Sequence, residues 1–138
     1  HYPRPGPGLG WPGAGIAVVE GNMNLPESGC LMRIFIGESD HHEGKPLYEW
    51  IVLQARAQGL AGATVLRGIM GFGPNSRIYT NKILRLSEDL PLIVEIIDTH
   101  EKLDHFLAHI EPAVGDGLIT MESATIKLYR SQSGAKQK

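Results

Sequence analysis

The chain has 138 residues and a mass of 15.1 kDa, which suits one globular domain. With 42% hydrophobic and 20% charged residues, its composition is typical of a folded protein. The formal net charge of -2 gives no basic footprint, so nucleic-acid binding is not expected. The single cysteine, Cys30, excludes an internal disulfide and favours a reducing compartment, so we expect a cytoplasmic protein.

The two ends of the chain differ in composition from the middle. Residues 1–22 are rich in glycine and proline, which predicts a disordered tail. Ordinary sequence resumes at Met23, and we expect the native protein to start there, with the preceding segment not native. Residues 131–138 are polar and predict a flexible C-terminus. The folded domain is therefore expected within residues 23–130.

The first half of this domain alternates between apolar and polar segments. A short apolar run over residues 31–36 predicts a strand, and residues 38–44 predict a polar loop. Apolar residues then recur at helical spacing over residues 46–58, where Pro46 suits the first turn of a helix. Residues 63–70 are β-branched and apolar, which predicts a second strand.

The second half repeats this order. A third strand is expected within residues 82–98, and its most apolar part is residues 90–97. Thr99 is a candidate helix cap. The buried face of the following helix is predicted to consist of Leu103, Phe106, Leu107, Ile110 and Val114. A glycine-rich turn at residues 115–117 ends that helix, and residues 118–129 predict the final strand.

The resulting order is β-α-β-β-α-β, which predicts an α+β fold of the ferredoxin-like type. In such a plait, two helices cover one face of a four-stranded antiparallel sheet. The other face carries apolar residues that need a partner surface, so we expect an oligomer. The fold by itself does not specify a function.

Two glycine-rich segments are candidates for anion binding. The first contains Gly71 and Gly73, and basic residues flank it: Arg67, Arg77, Lys82 and Arg85. Glycines let backbone N–H groups approach an anion, and arginines bind phosphate or carboxylate in bidentate fashion. The second is the turn containing Gly115 and Gly117, which is also explained as a plain helix stop. An ordinary hairpin with solvated basic residues is the structural alternative for the first.

Other chemistry is weakly represented. His41 and His42 in one loop, and His105 and His109 on one helix, are metal-ligand types, but the helical pair is predicted to face solvent. They support an alternative hypothesis of a divalent-cation-binding trimer similar to the cation-tolerance proteins. No nucleophile elbow or paired carboxylates are present, so an enzyme is not expected. An acylphosphatase-like hydrolase is a third hypothesis, but its arginine loop is not found.

Several segments are similar to the bacterial and archaeal domain-of-unknown-function family 190, in the PII-like superfamily. They include Arg-Ile-Phe-Ile-Gly-Glu-Ser-Asp over residues 33–40 and Gly-Lys-Pro-Leu-Tyr-Glu over residues 44–49. The longest runs over residues 59–73, and two more cover residues 82–91 and 94–98. The resemblance covers essentially the whole folded domain.

This resemblance implies a homotrimer whose sheets face inward around a three-fold axis. It implies clefts between subunits that bind a small anionic ligand, with an adenine nucleotide as the candidate, and no other cofactor. The loop of residues 73–80 would signal to a regulated protein such as a membrane transporter. The candidate ligand-binding residues are Gly37, Glu38, Lys45, Arg67, Gly71, Gly73, Arg77, Lys82, Arg85, Gly115, Gly117, Lys127 and Arg130.

The chain departs from signalling PII proteins at one informative position. Leu118 follows the second glycine-rich turn, where those proteins usually carry a phosphate-binding lysine. ATP and 2-oxoglutarate sensing of the usual kind is therefore not expected. A different nucleotide or small anion, bound by Arg67, Arg77, Lys82 or Arg85, is the expected ligand.

Overall fold

The computed structural model describes residues 16–17, 25–74, 78–80 and 89–132. Its main sheet has four antiparallel strands and carries two helices, so the predicted α+β plait is confirmed. The elements in chain order are β1 (Ile16–Ala17), β2 (Leu25–Pro26), β3 (Ser28–Gly37), β4 (His41–His42), β5 (Lys45–Pro46), α1 (Leu47–Ala57), β6 (Gly62–Arg67), β7 (Met70–Phe72), β8 (Ile78–Thr80), β9 (Pro91–Asp98), α2 (His100–Ile110), a 3-10 turn (Glu111–Ala113) and β10 (Leu118–Thr125).

The strand order in the main sheet is β10-β3-β9-β6, so β3 and β9 lie in the centre. Side chains along a strand alternate between the two faces of the sheet. In β9 the alternation is strict, with Leu92, Val94 and Ile96 buried and the residues between them half-buried. The buried side chains of β3 and β9 pack against α1 and α2 and form one hydrophobic core.

No helix of the described residues lies over the second face of the sheet, and we call it the open face. Cross-strand pairing places the half-buried residues of β3 opposite those of β9, as in the pair Phe35 and Ile93. Leu66 of β6 and Leu118 of β10 extend this row to both edges, and both are about half exposed, at 45% and 53%. The open face is therefore largely apolar and only partly shielded from water, as the sequence predicted.

The helices begin where the sequence indicated. Pro46 is the N-cap residue of α1, and the Thr99 side chain accepts a hydrogen bond from the Lys102 N–H at 3.2 Å at the start of α2. That hydrogen bond satisfies one of the unpaired N–H groups of the first turn. The predicted buried residues Leu103, Phe106 and Ile110 are fully buried. Val114, which was also expected on this face, lies beyond the end of the helix.

Two strands end earlier than predicted. The strand expected over residues 63–70 stops at Arg67. The Gly68 N–H still donates to the Pro91 carbonyl at 2.7 Å, but Pro91 has no N–H to donate in return, and Met70 starts the separate strand β7. The last strand was expected over residues 118–129 but ends at Thr125. Thr125 pairs with Ser28, the first residue of β3, so no residue of β3 remains to pair with those that follow.

The predicted polar loop at residues 38–44 contains β4 and the turn of a small hairpin, which β5 completes immediately after it. Glu43 and Gly44 at its turn have φ values of 53° and 79°. Positive φ at both central residues is the signature of the tight type I′ turn that suits a two-residue hairpin. The histidines of this segment therefore lie on a defined ribbon.

Parts of four predicted segments lie outside the described residues, among them residues 75–77 of the predicted loop of residues 73–80. In the predicted tail, Ile16–Ala17 pairs with Leu25–Pro26, and the rest of residues 1–22 is outside. The same holds for residues 82–88 of the third strand region and for residues 133–138. In the ranges that the structure describes, no helix is long and apolar enough to cross a membrane.

Asp98 at the end of β9 is a buried carboxylate that joins several elements. It is 2% exposed and accepts hydrogen bonds from the N–H groups of Ala61, at 2.9 Å, and Thr99, at 2.6 Å. The Tyr129 hydroxyl donates to the Ala61 carbonyl at 2.8 Å, which ties the segment after β10 to the same turn. Burial, and then the charge of Asp98, raise the pKa of Tyr129 and keep its hydroxyl protonated as a donor.

Replacing Asp98 should destabilise the domain. Asp98→Ala leaves two backbone N–H groups without their acceptor, so the free energy of unfolding should fall by about 3 kcal/mol in urea denaturation at pH 7. Asp98→Asn keeps one amide oxygen as an acceptor and should lose roughly half as much. Equal and small losses in both variants would contradict the role assigned to this carboxylate.

Candidate functional site

One end of the main sheet contains an open cleft of about 450 Å³. At this end β3 and β6 finish, while β9 and β10 begin. The hairpin of β7 and β8 stands beside it, because β7 follows β6 after only two residues. Strand ends, a turn and a hairpin therefore converge on one concave surface.

The walls of the cleft are mostly apolar side chains and glycine backbone. The apolar lining residues are Phe35, Ile36, Met70, Phe72, Pro74, Pro91, Leu92, Ile93 and Leu118, and the glycines are Gly68, Gly71, Gly73 and Gly117. A volume of this size falls within the range of about 300–1,000 Å³ that is usual for small-molecule sites. Apolar walls with exposed backbone are suited to a flat ring and to polar groups that bind N–H donors.

Two of the glycine segments predicted from the sequence meet in this cleft. Gly71 and Gly73 line one side, and Gly117 lines the other beside Asp116. Gly115 belongs to the same turn but lies against its opposite side, next to Leu107 and Val114. The structure therefore brings together segments more than 40 positions apart in the sequence.

These glycines differ in what surrounds them. A Cβ placed on Gly117 would lie 2.9 Å from the Phe35 carbonyl oxygen, so the close packing of the turn against β3 requires glycine there. A Cβ on Gly73 or Gly115 would meet no atom within 4 Å. Packing within the chain thus accounts for Gly117 but not for Gly73 or Gly115, which leave open space beside their backbone.

The cleft has little positive charge of its own. Among the lining residues that the structure describes, Asp116 carries the one formal charge, and it is negative. Leu118 occupies the wall immediately after the turn, where the sequence had already indicated the loss of a lysine. Within one chain, the described lining can offer N–H groups to an anion but no cationic side chain.

Three further predicted residues lie at the same end of the sheet but outside the lining. The Gly37 N–H donates to the Asp40 carboxylate at 3.0 Å, and the Glu38 N–H donates to the Leu90 carbonyl at 2.8 Å. The Arg67 guanidinium forms an ion pair with the Glu38 carboxylate. Arg67 remains 60% exposed, so it is accessible at the rim of this end of the sheet.

Two of the other predicted basic residues, Lys127 and Arg130, lie far from the cleft of their own chain. Lys127 and Arg130 follow the far end of β10, about 25 Å of strand away from Leu118. Lys127 forms an ion pair with Glu27 at 3.1 Å, and Arg130 is exposed. Lys45 lies in the β4–β5 hairpin. Arg77, Lys82 and Arg85 lie outside the described residues.

Sequence reasoning missed most of the apolar wall. Phe35 could have been assigned from alternation, since it sits between Ile34 and Ile36 and must face the other side of the sheet. Phe72 and Met70 were read as part of a flexible loop and a strand, yet they are 74% and 58% exposed beside the cleft. No local pattern indicates that Pro91 would lie under the glycines of the β6–β7 connection.

The histidines do not assemble into a metal centre within the described ranges. There, no three His, Cys, Asp or Glu side chains group closely enough to hold an ion. The indole ring of Trp50 lies between two imidazole rings instead, with centroid distances of 4.4 Å to His42 and 5.9 Å to His109. His109 also contacts the Gln54 amide oxygen at 2.7 Å. His105 is exposed on α2, as the helical spacing predicted.

The sequence was compared with known families and curated proteins. The family model DUF190, described as "Uncharacterized ACR, COG1993", matches residues 29–126. A UPF0166 protein of Aquifex aeolicus is 43% identical over 96 residues, which make up 70% of this chain and 90% of that protein. A UPF0166 protein of Methanocaldococcus jannaschii is 33% identical over 90 residues, covering 64% of this chain and 82% of that protein.

Solved structures of PII-like proteins have the same fold. The structure of CPII, a nitrogen regulatory PII-like protein from Thiomonas intermedia, bound to ADP, AMP and bicarbonate, matches with a TM-score of 0.58 at 14% identity. The match covers 75% of this chain and 95% of CPII. A second CPII structure, with ADP and bicarbonate, gives a TM-score of 0.53 at 16% identity and covers 72% and 88%. At these identities the likeness shows the fold alone.

The two glycines of the turn should respond differently to the same substitution. Gly117→Ala forces its new methyl group against the Phe35 carbonyl oxygen and Val114, so we expect a loss of about 1–3 kcal/mol in the free energy of unfolding. Gly115→Ala places its methyl group in open space and should change stability by less than about 1 kcal/mol. Urea denaturation of both variants measures the difference, and a reversed order would contradict the geometry described.

Proposed function

Because the chain belongs to the DUF190 family and has the fold of PII-like proteins, we propose that it is a non-enzymatic PII-like regulator. It binds a small anionic ligand, for which an adenine nucleotide is the candidate, in clefts between the subunits of a cytoplasmic homotrimer. The observation that carries this proposal is the single cleft at which the two glycine segments meet, at the edge of the open face.

The cleft suits a ligand with a flat ring at one end and an anionic group at the other. Phe35, Phe72 and Leu118 provide apolar surface, on which a nucleobase gains stacking and dispersion energy. The backbone around Gly73 is open enough for an anion in the cleft to approach its N–H groups. CPII, which has the same fold, was solved with ADP and AMP bound.

The cationic side chains of the site would be residues outside the described lining. In one chain Lys127 and Arg130 are far from the cleft, so they can contribute only to the cleft of another copy. Arg67 at the rim, together with Arg77, Lys82 and Arg85, would contribute from the same chain. The described lining of one chain therefore lacks a cationic side chain, and Lys127 and Arg130 of a second subunit would supply two.

The open face supports self-association. Its apolar residues continue from the sheet centre to the cleft, since Phe35, Ile93 and Leu118 belong to both. A second copy that covered the open face would also close the side of the cleft that these residues form. Oligomers of identical chains with closed symmetry are the usual way to cover such a surface.

Signalling would proceed through the predicted loop of residues 73–80, in which residues 78–80 form strand β8 and pair with β7. Ile69, Met70 and Phe72 at its base are 80%, 58% and 74% exposed. Met70 and Phe72 also line the cleft, so a bound ligand would touch the base of the loop directly. The regulated protein, such as a membrane transporter, would then bind the loop in one of its ligand-dependent positions.

Nucleotide binding can be measured by calorimetric titration of the protein with AMP, ADP and ATP, each with and without magnesium and bicarbonate. We expect saturable binding of at least one of the three nucleotides. Phe72→Ala should weaken that binding by about tenfold, because a nucleobase on an aromatic ring gains about 1–3 kcal/mol. Leu53→Ala, an exposed change on α1, is the control and should bind like the wild type. The absence of saturable binding under every condition would contradict the proposed ligand class.

The oligomer can be tested with two leucines of equal exposure. Leu66 lies on the open face at 45% exposure, and Leu53 lies on the outer side of α1 at 44%. A lysine on an apolar interface must lose its hydration, so Leu66→Lys should reduce the assembly to single chains. Leu53→Lys should keep the mass of the wild type in light scattering. If Leu66→Lys also kept that mass, the open face would not be the interface.

A further inference from the structure

One row of polar residues crosses the otherwise apolar open face. Cross-strand pairing places Arg33 of β3 beside Glu95 of β9, with a threonine at each end of the row. These threonines are Thr120 of β10 and Thr64 of β6. On both sides of this row the central strands carry apolar residues, namely Leu31, Phe35, Ile93 and Ile97. Charge on the open face is thus concentrated at its centre.

Arg33 is shared between two carboxylates. Its Nε donates to Glu95 Oε2 at 2.9 Å, and its Nη1 donates to Glu122 Oε1 at 2.5 Å. Glu122 reaches Arg33 from the neighbouring row of the edge strand β10, where it pairs with Leu31. The hydrogen bonds that Arg33 donates, first the one to Glu95 and then the one to Glu122, raise the pKa of Arg33, which stays protonated. The cluster therefore holds two negative charges and one positive charge.

The charge imbalance matters once the open face is covered, a step that rests on the trimer proposed above. However the copies are arranged, each brings two carboxylates and one guanidinium, so one negative charge per chain is in excess. Thr64 and Thr120 cannot neutralise it, and α1 and α2 lie on the opposite side of the sheet. Lys127, which pairs with Glu27 in the single chain, and Arg130 are assigned above to the cleft of a neighbouring copy, beside Leu118 at the start of β10, and not to the central row. Burying an excess charge is costly unless the group takes up a proton.

Glu122 is the carboxylate whose surroundings would change most. Its side chain is 58% exposed in the single chain, whereas that of Glu95 is 28% exposed and lies on a central strand. Covering the open face would remove most of the water around Glu122, while Glu95 keeps its hydrogen bond to the Arg33 Nε. We propose that assembly through the open face is coupled to proton uptake at Glu122, so that acidification stabilises the trimer and Glu122 sets its pH dependence.

The direction of the effect follows from linkage. If the assembled form binds more protons than the separate chains, the association constant rises as the pH falls. Sedimentation velocity over a dilution series at pH 5.5 to 8.0 and constant salt measures this directly. The wild type should dissociate at a concentration at least tenfold higher at pH 8.0 than at pH 5.5.

Two matched substitutions identify the group responsible. Glu122→Gln removes the excess charge without changing the shape of the side chain, so it should assemble tightly at pH 8.0 with a flat pH profile. It retains every histidine, and any remaining pH dependence would report on those. Glu49→Gln, an exposed change in the first turn of α1, should keep the wild-type profile.

The outcomes separate this inference from the proposed function. A wild type that is trimeric with equal affinity at both pH values, or a Glu122→Gln profile as steep as that of the wild type, would overturn the proton coupling and leave the trimer standing. Single chains at every pH in both proteins would overturn the coupling and the trimer together. A steep wild-type profile that Glu122→Gln flattens would support both.

Discussion

In the part of the chain that the structure describes, the two helices cover only one of the two faces of the sheet, and the rest of the structure depends on that constraint. Alternation along β3 and β9 sends one set of apolar side chains into the core against α1 and α2. The same alternation places Phe35, Ile93 and their neighbours on the open face, where they are half-buried. A strand cannot place apolar residues on both sides without a second covering surface. Self-association is the simplest way to provide this covering surface, since every copy carries the same apolar face.

The candidate site is also only partly covered, because it shares residues with the open face. Its apolar wall includes residues of the open face, and its glycine backbone leaves space that packing within the chain does not use. The described lining contributes a carboxylate but no cation, although an anionic ligand needs one. The basic residues at the far end of β10 cannot reach it within one chain.

A closed ring of copies would cover the open face and would also bring basic residues to each cleft. The proposed ligand site and the proposed trimer are therefore one hypothesis. The same interface would then also contain the cluster of Arg33, Glu95 and Glu122, whose charges do not cancel.

Most of the fold could be predicted from the sequence, because its signals are local. The Thr99 cap, the apolar spacing of α2 and the β-branched run of β9 each specify their element without knowledge of the rest. The ends of strands were predicted less well, since they depend on partners: β10 stops where β3 begins, and β6 stops opposite Pro91, which has no N–H to donate to it. The glycines of the site were found as breakers, whereas Phe35, Phe72 and Pro91 were not. Their position in the cleft depends on the register of the strands and on the position of the β7–β8 hairpin. No local sequence pattern indicates either one.

The central claim is that each ligand site is built from two chains, and a mixing experiment tests it most directly. One variant, Phe72→Ala, damages the cleft, and the other, Lys127→Ala combined with Arg130→Ala, removes the basic residues expected from the neighbouring copy. Each variant should bind ADP weakly by calorimetry when measured by itself. After the two are mixed and allowed to exchange subunits, some interfaces pair an intact cleft with an intact basic segment, and tight binding should return in a fraction of the sites. A mixture that binds ADP no better than its two components would contradict a site shared between chains.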